Sequence, residues 1–441
     1  MATLSPMAKL SFSRSPEHKL RRRIAAATVV VLLGALLTGY LILRGNDNDV
    51  HKGNEVEFVP KPPPKPVEEK SYDWRYYHRD LAHTGQLPVR LSPPFERKWV
   101  FGGKVLMEFP PIIAGKTIYF VRNNGGTYAL DSRTGRVRWK KRIGTESASS
   151  PAYADGRIFM TSLAGGATPG KVVALRARDG KVLWQMPLSS RSESSPIVHK
   201  GVLYLGSESG TLYALWARTG RVKWTFKASG SLKASPALSG STLYIGDYSG
   251  RMYAVWARTG SQRWASGTSG RTFGLASGNF YSTPAVAFGR VYAGNTDNRV
   301  YSFSAATGEL AWSKSTGGYV YSSPAVANVE DAGPSVYIGS YDGNLYALDA
   351  RTGSVRWTAH AGGRISGGPT VVGRIVYFAD LDSTSTYGVG VKTGTLLFHR
   401  DRGAYNPVVS DGRRIYLTGY SSITALEPAS NKKKRGRSAR R

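Results

Sequence analysis

Few residues in this 441-residue chain could perform covalent chemistry. Cysteine is absent, which excludes thiol catalysis, iron–sulfur clusters, Cys-ligated zinc, disulfides and lipidation through Cys. The seven histidines (18, 51, 78, 83, 199, 360 and 399) fall in no HExxH or closely paired pattern, so no metal site is signalled. Asp247, Asp297, Asp342, Asp380 and Asp382 stand between apolar runs, where an acidic side chain caps the backbone N–H groups of a turn. The stretch GGATPGK at 165–171 lacks the Gly-Lys-Ser/Thr end of a phosphate loop, and no nucleophile elbow occurs. Binding chemistry is better represented. Arg191, Glu193, Lys233, Arg271, Tyr281, Tyr319, Tyr321, Arg364 and Tyr405 form a mixture suited to sugars, peptides or anions, provided that one face of a scaffold gathers them.

A repeat defines that scaffold. Each unit opens with a Pro after small residues, at Pro111, Pro151, Pro196, Pro236, Pro284, Pro324, Pro369 and Pro407. An apolar strand, a Gly-containing turn, a strand of the LYAL type and a TG turn follow. The unit closes on Trp139, Trp184, Trp224, Trp264, Trp312, Trp357 or Phe398. The eighth unit ends at ITALEP without an aromatic, whereas Trp99 in FERKWVFGG stands unmatched before the first. Units of about 40–48 residues with four short strands predict the blades of a β-propeller. Eight blades acquire eight outer strands only if the strand around Trp99 completes the last. The prediction is therefore an all-β, eight-bladed propeller over residues 72–430, closed by an N-terminal strand.

In the unit AxDxxTGxxxW, the Gly supplies the positive φ of the turn, the Ala permits close approach, and the Trp buries its ring against a neighbouring blade. Trp216 and Trp256 depart from this pattern, standing where Asp131 and Asp349 stand in other units, beside Arg218 and Arg258. Local packing or Arg stacking accounts for them; the sharper expectation is a basic and aromatic contact patch of Trp216, Arg218, Trp256 and Arg258. Strand order puts the turns between strands two and three, and those linking blades, on one face. That upper face holds the mixed set from Arg191 to Tyr405. The lower face takes Arg133, Arg136, Arg176, Arg178, Arg218, Arg221, Arg258 and Arg351 from the TG turns, with Arg157, Lys200, Arg290, Arg374, Arg413 and Arg414 near its other turns.

The stretches ALDSRTGRVRW at 129–139 and ALDARTGSVRW at 347–357 resemble the tryptophan-docking motif of the pyrroloquinoline-quinone (PQQ)-type propeller repeat family. DWRYYHRDLAHTG at 73–85 looks like that family's leader, and the resemblance extends over residues 72–428. The family includes quinone-dependent alcohol dehydrogenases and the propeller lipoprotein of the outer-membrane β-barrel assembly machinery, so the resemblance implies a fold more than a function. The adjacent Cys pair that clamps the quinone in alcohol-oxidising members has no counterpart here, nor has their calcium-ligand Glu/Asn/Asp set with its Asp base. No PQQ, metal or catalytic residue is therefore expected. The lipoprotein's lipidated Cys is missing too. What the resemblance implies is a non-catalytic platform, with a PQQ-dependent oxidoreductase and a ligand-binding sensor as alternatives.

Residues 24–43, IAAATVVVLLGALLTGYLIL, carry no charged side chain, and twenty helical residues at about 1.5 Å each match a bilayer core of about 30 Å. Arg21, Arg22 and Arg23 precede them, which predicts a cytoplasmic basic tail (1–23), an uncleaved signal anchor, and an extracytoplasmic remainder. Residues 44–71, with VPKPPPKPVEEK, are predicted as an extended, semi-rigid spacer, and NKKKRGRSARR at 431–441 as a disordered basic tail. Net charge is +31, and residues 72–430 carry 42 Lys/Arg against 22 Asp/Glu, so the body itself is basic. The expected protein is a single-pass cell-membrane scaffold. Its lower face would look toward anionic headgroups, with a protein or an anionic envelope polymer as partner. Nucleic acid is disfavoured by location and by the lack of any known module, and no obligate homo-oligomer is signalled.

Overall fold

The computed structural model describes Thr28 and residues 49–65, 72–163, 169–268 and 278–429. Apart from Thr28, the expected cytoplasmic tail and membrane anchor lie outside the described residues, as does the tail at 431–441. Among the described residues no helix is long and apolar enough to cross a membrane. The chain divides into residues 1–49 and 50–441, and every strand belongs to the second unit.

Eight sheets follow one another in chain order, antiparallel except that the short strand Gln86–Leu87 pairs in parallel with the inner strand of the seventh. Blades 1 to 7 span 112–142, 152–187, 197–227, 237–267, 285–315, 325–360 and 370–400; blade 8 takes three strands from 408–428 and its outer strand from Phe95–Phe101. Their burial follows from composition. A second strand such as Val202–Gly206 (VLYLG) is buried on both faces, whereas an outer strand such as Val137–Arg142 (VRWKKR) buries only its Trp. That Trp ties blade to blade. The indole N–H of Trp139 donates to Ala177 O at 2.8 Å, that of Trp184 to Ala217 O at 3.0 Å, and that of Trp312 to Ala350 O at 3.2 Å. Each ring lies on the TG glycine of the next blade; at Gly353, with φ 78°, a Cβ would stand 2.7 Å from the Trp312 ring. Trp99 makes the same contact from blade 8 to blade 1, donating to Ser132 O at 3.1 Å.

A second belt runs nearer the axis, through the residue before each opening Pro. The backbone N–H of Ser150 donates to Ser195 Oγ, that of Ser195 to Ser235 Oγ, that of Ser235 to Thr283 Oγ1, and that of Thr283 to Ser323 Oγ, all within 2.9–3.1 Å. The belt changes at blade 7, where the residue is Gly368.

His78 explains the change. The leader predicted at 73–85 crosses the lower end of the channel and meets the blades in turn. Trp74 exchanges backbone bonds with Ile113 of blade 1, Arg75 O accepts from Tyr153 N of blade 2, and Tyr76 OH donates to Val198 O of blade 3. The carbonyls of Leu81, Ala82, Thr84 and Gly85 then accept from Leu238, Val286, Val326 and Val371 of blades 4 to 7. This path pushes Tyr77, His78 and His83 into the core, where Tyr77 OH donates to Ser323 Oγ at 3.1 Å and neither ring nitrogen of His78 makes a hydrogen bond of ordinary geometry to a described residue. Burial, with His83 nearby, holds the His78 imidazole down at about 3. The unfolded chain, with an ordinary His near 6.5, therefore binds more protons than the folded one, so stability falls as pH drops from about 6.5 toward 3, by at most about 1.4 kcal/mol per pH unit. Acid denaturation of His78→Asn, which keeps a residue tolerant of the positive φ at 78, is expected to be less steep by up to one proton.

The expected spacer is not an extended tether throughout. Residues 50–61 dock on the lower side of blades 5 and 6. Val59 N donates to Phe288 O at 3.0 Å, Phe58 packs on the Phe288 ring at 5.6 Å, and Asn328 Nδ2 donates to Lys61 O. The latch is Arg290, whose guanidinium donates to the carbonyls of Gly53, Val56 and Glu57. It was expected among the exposed basic residues, yet it is fully buried. Carbonyl dipoles from a segment far away in sequence hold the charge, which among the described residues forms no ion pair with a carboxylate.

Candidate binding face

The upper mouth of the channel is built by one register of the repeat, the residue three before each opening Pro. That position reads Glu108, Ala148, Glu193, Lys233, Tyr281, Tyr321, Ser366 and Ala404 around the ring. Lys233 Nζ lies 2.9 Å from Glu193 Oε1 and 3.4 Å from Glu208 Oε1, and Tyr281 OH donates to Glu193 Oε2 at 3.1 Å. Burial alone would lower the Lys233 ammonium, but the two carboxylates raise it above its ordinary range. Glu108 is raised, first by burial and then by Glu193, although Asn123 Nδ2 donates to it at 2.9 Å.

From this charged arc an aromatic arc continues. Tyr281 meets Tyr321 edge-on at 5.5 Å, Tyr321 meets Tyr319 at 6.0 Å and Tyr341 at 4.8 Å, and Arg364 lies 5.7 Å from the Tyr341 ring centre. Arg364 is also held by Asp382, its Nη2 lying 2.6 Å from Oδ1. Tyr405 completes the circuit, its phenol raised by burial and by Glu108, with Arg364 opposing. Arg191 sits at the edge, 3.8 Å from Glu208. Arg271 lies outside the described residues.

The described members of the expected set thus lie together, and four further residues join them: Glu108, Glu208, Tyr248 and Tyr341. Lys233 stands 5.6 Å from the Tyr248 ring centre. All four were legible, because Glu108 shares the register of Glu193, Lys233, Tyr281 and Tyr321, and Glu208, Tyr248 and Tyr341 share one place in the turns SESG, DYSG and SYDG. The aspartates serve as turn caps. Asp247 accepts from the N–H groups of Gly230, Ser249 and Arg251 and from Tyr253 OH, and Asp342 from those of Gly317 and Asn344 and from Tyr346 OH. Among the described residues no three His, Asp or Glu side chains group to hold a metal ion, and the paired carboxylates at the mouth already share the Lys233 ammonium. That donor set does not fit a calcium-bound quinone.

On the lower face, Trp216 and Trp256 are 46% and 40% exposed. Their cationic partners differ from those expected. Lys223 Nζ lies 4.9 Å from the Trp216 ring centre and Arg263 Cζ 4.3 Å from that of Trp256, one residue before the docking Trp in each case. In blades 1 and 6 the same outer-strand position holds Arg138 and Arg356, ion-paired with Asp131 and Asp349 at 2.7 and 2.6 Å. Two blades therefore replace a carboxylate–guanidinium pair with a cation–π pair on the same scaffold. Arg218 and Arg258 remain exposed beside them.

The sequence matches the family described as "Outer membrane protein assembly factor BamB" over residues 89–168, 128–330 and 322–434. No curated relative matches it significantly. Among solved structures it is similar to BamB from Moraxella catarrhalis, at 18% identity and TM-score 0.62, covering 76% of this chain and 99% of that one. It is similar to a quinohemoprotein alcohol dehydrogenase from Pseudomonas putida at 15% identity and TM-score 0.66, covering 80% of each chain. The computationally designed Ika8 protein, at 14% identity and TM-score 0.61, covers 78% of this chain and is itself covered completely. At such identities the likeness establishes the fold alone.

Proposed function

The chain belongs to the family of the outer membrane protein assembly factor BamB, and from that premise we propose that it is a non-catalytic binding or assembly scaffold at the cell envelope. In this reading residues 24–43 anchor it in the cell membrane, the propeller stands outside the cytoplasm, and neither quinone nor metal resides in it. The observation that carries the reading is the upper mouth. Two of its carboxylates, Glu193 and Glu208, are ion-paired with Lys233, and its rim presents tyrosines and an arginine, residue types enriched where proteins meet.

The test is site-specific photocrosslinking from Tyr319, which is 50% exposed, in native membranes. A discrete protein partner is expected, with yield lost when Lys233 is replaced by Glu. Dye-linked alcohol oxidation by the purified full chain with PQQ and calcium would overturn the reading in favour of an oxidoreductase.

The lower face supplies a second contact in this proposal. Trp216, Arg218, Trp256 and Arg258 meet anionic headgroups or an anionic envelope polymer, Trp being suited to the interface and each basic residue contributing about 1 kcal/mol before screening. Trp216→Asp with Trp256→Asp recreates the ion pair of blades 1 and 6, so the thermal midpoint is expected to stay within about 2 °C. Binding of the double variant to vesicles containing anionic lipid is expected to fall severalfold at low salt. Unchanged binding would reduce the two rings to local packing.

A further inference from the structure

The seam between blades 7 and 8 combines three departures from the repeat. Its docking aromatic is Phe398, which packs edge-on against Phe95 at 5.8 Å in place of a Trp bonded to a TG turn. Four residues after the docking Trp, blades 1 to 4 and 6 bury Ile143, Leu188, Ala228, Thr268 and Ala361, which return a backbone N–H to Gly125, Gly170, Gly210, Gly250 and Gly343, and in blade 5 the half-buried Thr316 returns its N–H to Asn298. Blade 7 has Arg402 there, exposed, with its N–H turned back to Arg400 O. The third difference is on blade 8. Tyr213, Tyr253 and Tyr387 reach back across their seams, their hydroxyls accepting from Ser189, Ser229 and Gly362 N–H groups at 3.1–3.2 Å. The same strand position in blade 8 is Thr424, too short to do so like Val173 in blade 2, and its buried hydroxyl has no hydrogen-bond partner among the described residues.

The result is a cleft of about 350 Å³ with an apolar floor of Leu417, Leu426 and Val100. Arg97, Arg400 and Arg402 line it. None of the three has a carboxylate partner among the described residues, because the acids adjacent in sequence are engaged elsewhere: Glu96 by Lys98, Asp401 by His399, and Glu427 by Arg414. An unfilled ring-sized space, a buried free hydroxyl and three unneutralised guanidiniums coincide at one place.

We propose that this cleft binds a small carboxylate whose apolar body is about the size of one ring. The body occupies the space that Tyr213, Tyr253 and Tyr387 fill at three other seams, and the carboxylate takes the guanidinium fork–fork geometry that Arg prefers. The site is separate from the upper mouth and does not depend on the scaffold reading.

The probe is 3-phenylpropionate, titrated against the full-length chain in nanodiscs of neutral lipid and followed by saturation-transfer NMR, with empty nanodiscs as baseline. Saturable binding is expected with Kd on the order of 1 mM or tighter, and the neutral 3-phenylpropanol is expected to bind at least about tenfold more weakly. Thr424→Tyr refills the cleft and is expected to raise Kd about tenfold or more without lowering the thermal midpoint. Arg400→Gln with Arg402→Gln, both on the surface, is expected to bring the carboxylate down to the level of the alcohol. No saturable binding to the wild-type chain up to about 10 mM, equal binding of acid and alcohol, or binding that neither variant changes would each overturn the proposal.

Discussion

Trp312→Ala is expected to cost about 3–5 kcal/mol, the most of any docking-Trp substitution, and to lower the thermal midpoint by several degrees. Three observations set this size. Trp312 is the only docking Trp, among the described residues, with no solvent exposure, its indole N–H is bonded to Ala350 O, and its backbone pairs with His51 of the docked N-terminal segment. Truncation therefore leaves a cavity between blades 5 and 6, removes packing from the core cluster that includes Val56 of the docked segment, and leaves Ala350 O with Tyr292 OH as its remaining donor. The comparison is Trp224→Ala, whose ring is partly exposed and keeps no such third partner, and a smaller loss is expected there. The two variants are ranked by thermal denaturation of the full-length chain. Equal losses would show that the docked segment contributes nothing to this seam.

Gly368→Ser is the second large effect, and its sign is opposite to what the repeat suggests. Aligning the units puts Ser or Thr at this position in blades 2 to 6, so a serine would look like a repair of the belt. In the folded chain a Cβ on Gly368 would overlap the His78 imidazole and stand 2.8 Å from Ser323 O. His78 is fully enclosed and stacked on Tyr77 at 4.6 Å, so it cannot swing away without lifting the leader from the channel. The cost expected for such overpacking is about 1–3 kcal/mol, with faster proteolysis of the leader. Adding His78→Gly removes the obstruction, and Gly368→Ser should then be harmless or stabilising. A double variant no better than Gly368→Ser alone would place the strain somewhere other than His78.

How legible the rest was depended on distance along the chain. The partner of Trp216 and Trp256 could have been read from sequence: a cation stands seven residues after each of Asp131, Asp349, Trp216 and Trp256, and is absent after Arg176, Ser304 and Gly390. The bulged register that pairs Ala214 with Trp224 and Leu215 with Val222 brings those two positions side by side. Arg218 and Arg258, nearer in sequence, lie on the turn and point to solvent, which is why proximity along the chain misled. The upper mouth was legible in outline for a related reason. Pro punctuation fixes a register, and one register is one height and radius repeated around the axis.

By itself the sequence determined eight blades, their docking rings, the glycines beneath them and the faces of the turns, because each unit repeats the same local demands for burial and for positive φ. It also settled the absence of thiol chemistry. Only the tertiary structure decided that the leader threads the channel and displaces a serine at Gly368, that Arg290 is a buried latch, and that the seam of blades 7 and 8 stays open. Each of these is a contact between segments remote in the chain, such as the one between Arg290 and Gly53. Burial and charge there depend on which remote backbone arrives, and no period or spacing encodes that.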